Sequence, residues 1–323
     1  MTSAALRSAT FGGAAVGLLA DRMLGEPPDW WHPVARFGQS MLALEDQMYA
    51  DSRASGIAFS LVGIGGAGVA GFALERLLRR FTSPTTARFF STAFTSSLAI
   101  AGKMLTNIAR EIEEPLTEEN IDNARQQLRA LVGRDTNELD EIDVARAVIE
   151  SVAENTVDAV VAPALWAAVF GSSGAAAYRA ANTLDAMVGH RSRRYARFGW
   201  ASARIDDVAN WVPARCTAML VMLVRPASAR AILRTVRRDA PAHPSPNSGV
   251  AEAAFAAAID VRLGGVNRYG DRTEDRGTLG NGRSADAKGI EASRALLRDV
   301  TSALAALLAV LSLWFVKDAT VAK

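Results

Sequence analysis

Three carboxylates in the middle of the chain have a spacing that suits metal chemistry. Glu150, Glu154 and Asp158 recur at every fourth position, so on a helix they share one face. Like charges at this spacing repel each other and weaken a helix, so a cation or a basic partner would stabilise them. Mg²⁺ is the natural cation, because it binds oxygen ligands and usually shares them with substrate phosphates. The spacing alone leaves two other interpretations open, a solvated helix face and ion pairs with arginine.

A second acidic motif, DDVAN, occupies residues 206–210. On a helix Asp206 and Asn210 share a face, and with Asp207 they are similar to the short aspartate clusters that hold Mg²⁺ and a diphosphate. The alternative interpretation is a helix N-terminus that is capped by Asp206 or Asp207.

A cluster of arginines lies between these two acidic motifs. Arg191, Arg193, Arg194 and Arg197 lie within seven positions, and planar guanidinium groups suit phosphate or carboxylate ligands. A basic patch at a membrane surface would have the same composition.

The three histidines are too scattered to form a metal motif. His190 fits either a catalytic base or a hydrogen-bonded loop residue. His32 and His243 each precede a proline, in HPV and HPSPN, and proline makes a loop rigid, which suits a binding site or a simple turn. The LGG sequence at 263–265, followed by Asn267, could bring backbone close to a phosphate.

The elements that must position these residues are helices, several of them long and apolar. Residues 56–74 carry no charge, and at 1.5 Å per residue they are long enough to cross a hydrocarbon core of about 30 Å. Residues 300–316 form a second such span. Residues 159–178 form a third, with Pro163 and the GSSG at 171–174 as candidate breaks. The weaker runs at 89–102 and 208–224 fit either membrane helices or core helices.

Polar blocks separate these apolar runs. Residues 107–150 have the spacing of amphipathic helices, with Gly133 as a stop and Asp135-Thr136 as the cap of the next helix. Residues 225–240 carry five arginines, which is typical of the cytoplasmic side of a membrane. Residues 241–289 are predicted to be an ordered loop around a short helix at 251–259, and no strand pattern of consequence is evident.

These patterns predict an all-α fold. The predicted protein is a polytopic integral membrane helical protein with large polar cytoplasm-facing loops and amphipathic helices. The whole chain, 1–323, is predicted to be a single domain, with a core motif block at 150–215, a polar loop region at 225–298 and a C-terminal span at 300–316. The apolar run before Asp21 is interpreted as a retained helix, because no clean cleavage site follows it.

Composition excludes several classes of protein. The net charge of +2 over 323 residues gives no support for a nucleic-acid partner, although arginines cluster locally. The single cysteine, Cys216, excludes an intramolecular disulfide and a zinc site made of cysteines. Neither the GxxxxGK[ST] nor the GxGxxG pattern occurs, so no nucleotide site of those two kinds is supported.

Five segments together resemble one known family. They are LLADRMLGEPPDWWHPVARFG (18–38), ESVAENTVDAVVAPALWA (150–167), AYRAANTLDAMVGHRSRRYARFGWASARIDDVANWVPAR (177–215), HPSPNSGVAEAAFAAAIDVRLGG (243–265) and NRYG (267–270). They look like the cobalamin biosynthesis protein CobD/CbiB family, adenosylcobinamide-phosphate synthase. The resemblance runs through nearly the whole chain in the same order, whereas 80–110 and the C-terminal span match only in character.

The resemblance implies a multi-pass enzyme of the cell (inner, cytoplasmic) membrane. It would join adenosylcobyric acid to (R)-1-aminopropan-2-ol or its O-phosphate by an amide bond, using ATP and Mg²⁺. The implied partners are a corrinoid substrate, aminopropanol or aminopropanol phosphate, and the lipid bilayer, and a homo-oligomer is left open. Two alternatives stay in view: a membrane transporter, and a Mg-dependent phosphotransferase that uses the DDVAN motif.

The resemblance also suggests a role for each polar motif. Because ATP is cytoplasmic, the polar blocks at 103–158, 179–207 and 225–298 should face the cytoplasm, and the two histidine–proline loops should close the same site as the block at 150–215. The expected metal ligands are Glu154, Asp158, Asp206, Asp207 and Asn210. The expected substrate- or phosphate-binding residues are His32, Arg179, Arg191, Arg194, Arg215, Asn247 and Asn267. The expected catalytic proton acceptors are Asp185, His190 and His243.

Overall fold

The protein is described by a computed structural model. The description covers residues 3–28, 30–133, 135–190, 192–269 and 272–321, with side chains throughout except at 267–269, 272–274 and 318–321. Helices make up 79% of the structure, which agrees with the predicted all-α class.

The helices and strands are numbered in chain order. The helices are α1 (Ser3–Leu24), α2 (Pro33–Met48), α3 (Arg53–Leu78), α4 (Pro84–Ala99), α5 (Gly102–Thr117), α6 (Ile121–Leu128), α7 (Glu141–Thr156), α8 (Ala162–Phe170), α9 (Ser172–Leu184), α10 (Tyr195–Phe198), α11 (Trp200–Ala209), α12 (Trp211–Val224), α13 (Ala229–Asp239), α14 (Ser248–Ala258) and α15 (Ala287–Val321). The two strands are β1 (Leu263–Tyr269) and β2 (Arg272–Leu279). Two π-helical turns, Val157–Val161 and Asp185–Gly189, follow α7 and α9 directly.

The chain divides into two compact units. The first unit contains residues 1–101, 158–210 and 304–323, and the second contains residues 102–157 and 211–303. Each unit is built from separate segments of the chain.

The first unit is a bundle in which α3 and α9 pack closely. Met41, Phe59, Leu184, Val188 and Phe198 form its buried apolar cluster. The close approach of α3 to α10 depends on Gly56, because a Cβ atom there would lie 1.8 Å from the carbonyl oxygen of Phe198. The predicted break at 171–174 is confirmed, since α8 ends at Phe170 and α9 begins at Ser172, whereas Pro163 lies in the first turn of α8 and does not break it.

The second unit is built around α14. Residues 248–256 of this helix are all buried, and they pack against α7, α12 and α13. The predicted cap of α7 at Asp135-Thr136 is wrong: the helix begins at Glu141, where the Asp140 side chain accepts a hydrogen bond from the backbone N–H of Asp143. A side chain can cap only the first free N–H groups of a helix, so the earlier pair is too distant in sequence.

Residues 263–279 correct the prediction of an ordered loop. β1 and β2 form an antiparallel hairpin whose register shifts between Gly264 and Val266. Gly264 and Gly265 have φ angles of +80° and +92°, a region that side-chain-bearing residues rarely adopt. The glycines that had the appearance of a loop therefore allow an irregular strand. The helix predicted at 251–259 is confirmed as part of α14.

Three helical stretches in the described part of the chain are long and apolar enough to cross a membrane: Arg53–Leu78, Glu141–Phe170 and Ala287–Lys317. A fourth results if Trp200–Val224 and Pro226–Ala242, which meet at a bend of 111°, count as one span. In the most apolar part of each stretch, the protein buries only 22% in the first and 28% in the third, against 67% in the second. The first and third stretches contain the predicted spans at 56–74 and 300–316.

Candidate functional site

Two aspartates and three neutral polar residues meet in the first unit. This carboxylate–amide cluster consists of Asp158, Tyr178, Asn182, Asp206 and Asn210. The amide nitrogen of Asn182 donates to Asp158 Oδ2 and to Asp206 Oδ1, at 3.3 Å each. The amide of Asn210 donates to Asp206 Oδ2 at 3.0 Å, and the hydroxyl of Tyr178 donates to Asn210 Oδ1 at 2.8 Å. One amide group therefore holds two carboxylates close together.

Three elements position this cluster. Asp158 lies in the π turn 157–161, Tyr178 and Asn182 lie one helical turn apart on α9, and Asp206 lies one turn before Asn210 at the end of α11. The predicted face shared by Asp206 and Asn210 is confirmed by their hydrogen bond. The alternative, in which Asp206 or Asp207 caps a helix N-terminus, is wrong, because both lie in the last turns of α11.

The carboxylate–amide cluster brings two negative charges close together. Asp206 is buried and Asp158 is half-buried, and two neighbouring negative charges in such surroundings are unfavourable unless positive charge or hydrogen bonds compensate. The described residues contain no group of three or more acid, histidine or cysteine side chains that could hold a metal ion by themselves. Two carboxylates beside an amide oxygen nevertheless match the partial ligand set that Mg²⁺ uses when substrate phosphates complete its coordination.

Asp207 faces a different neighbour from Asp206. Its Oδ2 atom lies 3.0 Å from Arg204 Nη1, and this ion pair is largely open to solvent. The structure thus brings Asp158, Asp206 and Asn210 of the predicted metal ligands together and pairs Asp207 with an arginine.

Glu150 and Glu154 have partners in the second unit. Glu150 Oε1 accepts a hydrogen bond from the backbone N–H of Gly264 at 2.8 Å, and Glu154 Oε1 accepts one from the hydroxyl of Ser248 at 2.8 Å. The guanidinium of Arg146 lies 4.0 Å from Glu150. The first carboxylate therefore holds the glycine-rich start of β1, and the second holds the start of α14.

The predicted phosphate-binding arginines differ in their surroundings. Arg194 donates through Nε and Nη2 to Glu45 Oε1, at 3.1 and 2.9 Å, and lies over the ring of Tyr49. The hydroxyl of Tyr195 also donates to Glu45 Oε1, and burial together with this bond raises the pKa of Tyr195. Arg194 is thus already bound to a buried carboxylate, and Arg191 lies outside the described residues.

Arg215 and Asn247 meet in the second unit. Arg215 Nη1 donates to the side-chain oxygen of Asn247 at 3.1 Å and to the carbonyl of Trp211 at 3.0 Å. The guanidinium also stacks over the Trp211 ring, 4.4 Å from its centre. These contacts fix the group and leave it partly exposed, as a phosphate-binding arginine requires. Asn267 lies in β1, and its side chain is outside what is described.

The three histidines occupy different kinds of position. His32 is buried at the start of α2, where its Nδ1 accepts from the N–H of Val34 and so caps the helix. His190 is exposed and packs edge-on against the ring of Tyr195. His243 is buried in the second unit, with Nε2 at 3.6 Å from Glu252 Oε1. Of the three, His190 alone combines exposure with a position in the motif block.

Arg179 and Asp185 lie on either side of Asn182 in sequence. Asp185 opens the π turn 185–189, and its carboxylate folds back over the backbone of Gly189. Arg179 lines a cavity of about 210 Å³ in the first unit, whose other walls are apolar apart from Thr95 and Thr183.

Several residues at these sites were missed by the sequence analysis. Asn182 and Tyr178 complete the carboxylate–amide cluster, Glu45 binds Arg194, and Glu252 lies beside His243. No charge pattern singles out Asn182 or Tyr178, because both lie in an alanine-rich stretch. Their spacing of four residues on one helix is the single signal that could have linked them.

Comparison with known proteins identifies similar chains. The family model described as CobD/Cbib protein matches residues 14–297. A cobalamin biosynthesis protein CobD of Mycobacterium tuberculosis (strain H37Rv) is 46% identical over 302 residues, which is 93% of this chain and 94% of the relative. Relatives with the same name from Sinorhizobium fredii and Chromobacterium violaceum are 39% and 40% identical, covering 93% and 83% of this chain and 96% and 85% of their own. No solved structure matches.

Proposed function

The chain belongs to the CobD/Cbib protein family, and we propose that it is an adenosylcobinamide-phosphate synthase of cobalamin biosynthesis. In this proposal it joins adenosylcobyric acid to (R)-1-aminopropan-2-ol or its O-phosphate in an ATP-dependent reaction. The main support for a role in this pathway is the family match over residues 14–297. Relatives named for cobalamin biosynthesis also align with this chain along almost their whole length. The observation that supports a reactive centre is the pair of neighbouring aspartates in the carboxylate–amide cluster, of which Asp206 is buried and Asp158 is half-buried.

We further propose that the protein resides in the cell membrane as a multi-pass protein. The most apolar parts of α3 and α15 are mostly not covered by other parts of the protein, and a bilayer would remove that surface from water. Exposed Trp314 lies near the C-terminal end of the stretch Ala287–Lys317, a position typical of the membrane interface.

The proposed reaction requires a carboxylate to become an electrophile. ATP converts the oxygen of the corrinoid carboxylate into a leaving group, as an acyl phosphate with release of ADP or as an acyl adenylate with release of diphosphate. The amine nitrogen then attacks the acyl carbon, the C–N bond forms, the C–O bond breaks, and phosphate or AMP leaves. The proton lost from the amine passes to a base, for which the family motif offers Asp185 and His190.

Side chains of the two units supply distinct functions in this proposal. In the first unit Asp158 and Asp206 would hold Mg²⁺, and Asn182 keeps the two carboxylates at a fixed separation. Mg²⁺ would neutralise phosphate charge that develops as the leaving group forms. In the second unit Arg215, held by Asn247, binds phosphate oxygens. Arg194 serves the fold instead, because it anchors the loop after the π turn to Glu45 on α2.

The direct test is a reaction with purified protein in lipid nanodiscs. Adenosylcobyric acid, ATP and Mg²⁺ are supplied with each of the two amines in turn, and the corrinoid product is identified by mass. We expect amide formation with one or both amines, and no product without ATP. Absence of product with both amines in folded protein would overturn the synthase proposal, and diphosphate release from a lipid substrate would favour the phosphotransferase instead.

A matched pair of variants connects the reaction to the site. Asp158→Asn removes one carboxylate of the cluster and is expected to lower the rate at least roughly a hundredfold, as does loss of other charge-stabilising groups in active sites. Asp122→Asn makes the same chemical change at an exposed position that is paired with Arg125, and it should leave the rate unchanged. Equal rates in the two variants would show that Asp158 is not part of the reactive site.

A further inference from the structure

One face of α13 carries unpartnered positive charge. Arg230, Arg234 and Arg237 are spaced by four and three residues, so they share a side of the helix, and all three are exposed. We call these residues the arginine face. Among the residues that the structure describes, none of the three guanidinium groups takes part in a hydrogen bond or an ion pair. Arg238, by contrast, is bound to Asp239.

The opposite side of α13 is what holds the helix in place. Ile232 is fully buried, and the helix packs against α14. The Asp239 carboxylate at its end accepts a hydrogen bond from the backbone N–H of Gly280, at 2.9 Å. The fold of the second unit therefore does not need the arginine face, which leaves that face available for a partner.

The helix that precedes α13 has an uncovered apolar surface. Val212, Met219 and Leu223 lie on one side of α12, and 63% of the surface of each of the last two is exposed. This apolar stripe ends at Val224, where the chain bends by 111° into the helical stretch Pro226–Ala242 that contains α13. Leu233 is also exposed, between the arginines.

This order of surfaces matches the profile of a membrane. An apolar stripe that ends in a cluster of arginines fits hydrocarbon followed by a layer of phosphate groups. The arginine face contains no acidic residue, and guanidinium groups form paired hydrogen bonds with phosphate. A soluble anion would explain the charge but not the adjoining apolar stripe.

We propose that the arginine face of α13 binds the phosphate groups of anionic phospholipids, while the apolar stripe of α12 contacts their acyl chains. The proposal rests on the membrane location proposed above and is independent of the amide-forming reaction. Each basic residue close to an anionic membrane surface favours binding by about fivefold. If the three contributions multiply, they should enrich anionic lipid at this position by up to about a hundredfold at low salt, and by less at high salt.

The test measures which lipid lies beside α13 in the full-length protein. A bimane fluorophore is attached to the thiol of Ala231→Cys, on the exposed side of α13, in a Cys216→Ala background. The protein is placed in phosphatidylcholine nanodiscs that contain a small fraction of quencher-labelled lipid. In one set of discs that lipid is phosphatidylglycerol, and in the other it is phosphatidylcholine with the same label. We expect several-fold stronger quenching by the labelled phosphatidylglycerol, and a difference that shrinks as salt is added.

Two triple variants separate charge from structure. Replacing Arg230, Arg234 and Arg237 by glutamine should make the two labelled lipids equal, whereas replacing all three by lysine should preserve the preference. Equal quenching in the starting protein, a preference that survives the glutamine triple, or no quenching by either lipid would each overturn the proposal. Failure of the chain to enter nanodiscs would instead refute the membrane location on which the proposal rests.

Discussion

The substitution Asp206→Asn tests the carboxylate–amide cluster most sharply. In the structure Asp206 Oδ1 accepts from Asn182 at 3.3 Å and Oδ2 accepts from Asn210 at 3.0 Å, so both oxygens face amide N–H groups. An asparagine has one accepting oxygen, so in either orientation its own NH₂ group meets a donor. The loss of one hydrogen bond to a charged group should destabilise the first unit by about 1.5–3 kcal/mol. Removal of the repulsion between Asp206 and Asp158 offsets part of this loss.

The effect on Mg²⁺ should be larger than the effect on folding. At an effective dielectric constant of about 20, two unit charges about 4 Å apart interact by about 4 kcal/mol, and Mg²⁺ carries two charges, so the loss of a carboxylate should cost several kcal/mol before the cost of desolvation is counted. We therefore expect Asp206→Asn to raise the Mg²⁺ concentration that gives half of the maximal rate by roughly a hundredfold, since 1.4 kcal/mol corresponds to a factor of about ten in affinity.

The assay is amide formation measured across a Mg²⁺ titration, with thermal unfolding of the same detergent-solubilised sample. The expected signature is a folded protein whose rate recovers at high Mg²⁺ concentration. Asp122→Asn supplies the matched control, because it removes a carboxylate from an exposed ion pair. An unchanged Mg²⁺ midpoint and rate in folded Asp206→Asn would refute the metal site. A loss of rate that follows the loss of folded protein and does not recover with Mg²⁺ would show that Asp206 acts on the fold alone.

Three further predictions follow from single contacts. Asp207→Asn should keep most of the amide-forming rate and cost below about 1 kcal/mol, because its ion pair with Arg204 is solvent-exposed; a Mg²⁺ midpoint shifted as in Asp206→Asn would contradict this placement. Gly56→Ala should lower the thermal midpoint by the equivalent of about 1–3 kcal/mol, because its Cβ would meet the Phe198 carbonyl, whereas Gly65→Ala on the same helix, with open space around it, should not; equal midpoints would refute the close packing. The Arg238 guanidinium and the Gly280 N–H lower the pKa of Asp239 below its ordinary 3.8, so its contribution to stability is present above about pH 4 and is lost as the pH falls through the lowered value. Asp239→Asn should therefore flatten acid unfolding monitored by tryptophan fluorescence below pH 4, and an acid transition as steep as that of the unsubstituted protein would argue against this role.

The long helices could be predicted from the sequence because their signal is local. A long uncharged run such as 56–74 predicts a helix that is apolar on all sides, and the run does lie within α3. The pairing of Asp206 with Asn210 follows from helical spacing in the same way. Each of these features depends only on residues within a few turns of one another.

The contacts that assemble the sites could not be predicted in that way. Asn182 joins Asp158 to Asp206 from a helix between them in sequence, and Glu45 binds Arg194 across 149 positions. Neutral amides such as Asn182 leave no trace in a charge pattern. The hairpin at 263–279 was missed because glycine and arginine interrupt the alternation of apolar and polar residues that identifies a strand.

The π turns are the most informative departure from the sequence prediction. Spacing by four placed Glu150, Glu154 and Asp158 on one helical face, but that inference holds only while the helix keeps 3.6 residues per turn. The turn at 157–161 widens the backbone at Asp158, and the turn at 185–189 does the same at Asp185. Such turns are rare in proteins as a whole, but those that occur are often found at functional sites. They lose regular helical hydrogen bonds and so redirect a side chain. Both turns of this kind in the described chain open at or beside an aspartate of the motif block. The backbone therefore departs from regular helix where the proposed chemistry needs a carboxylate. This coincidence supports Asp158 and Asp185 as site residues independently of the spacing that identified Asp158 and of the resemblance that identified Asp185.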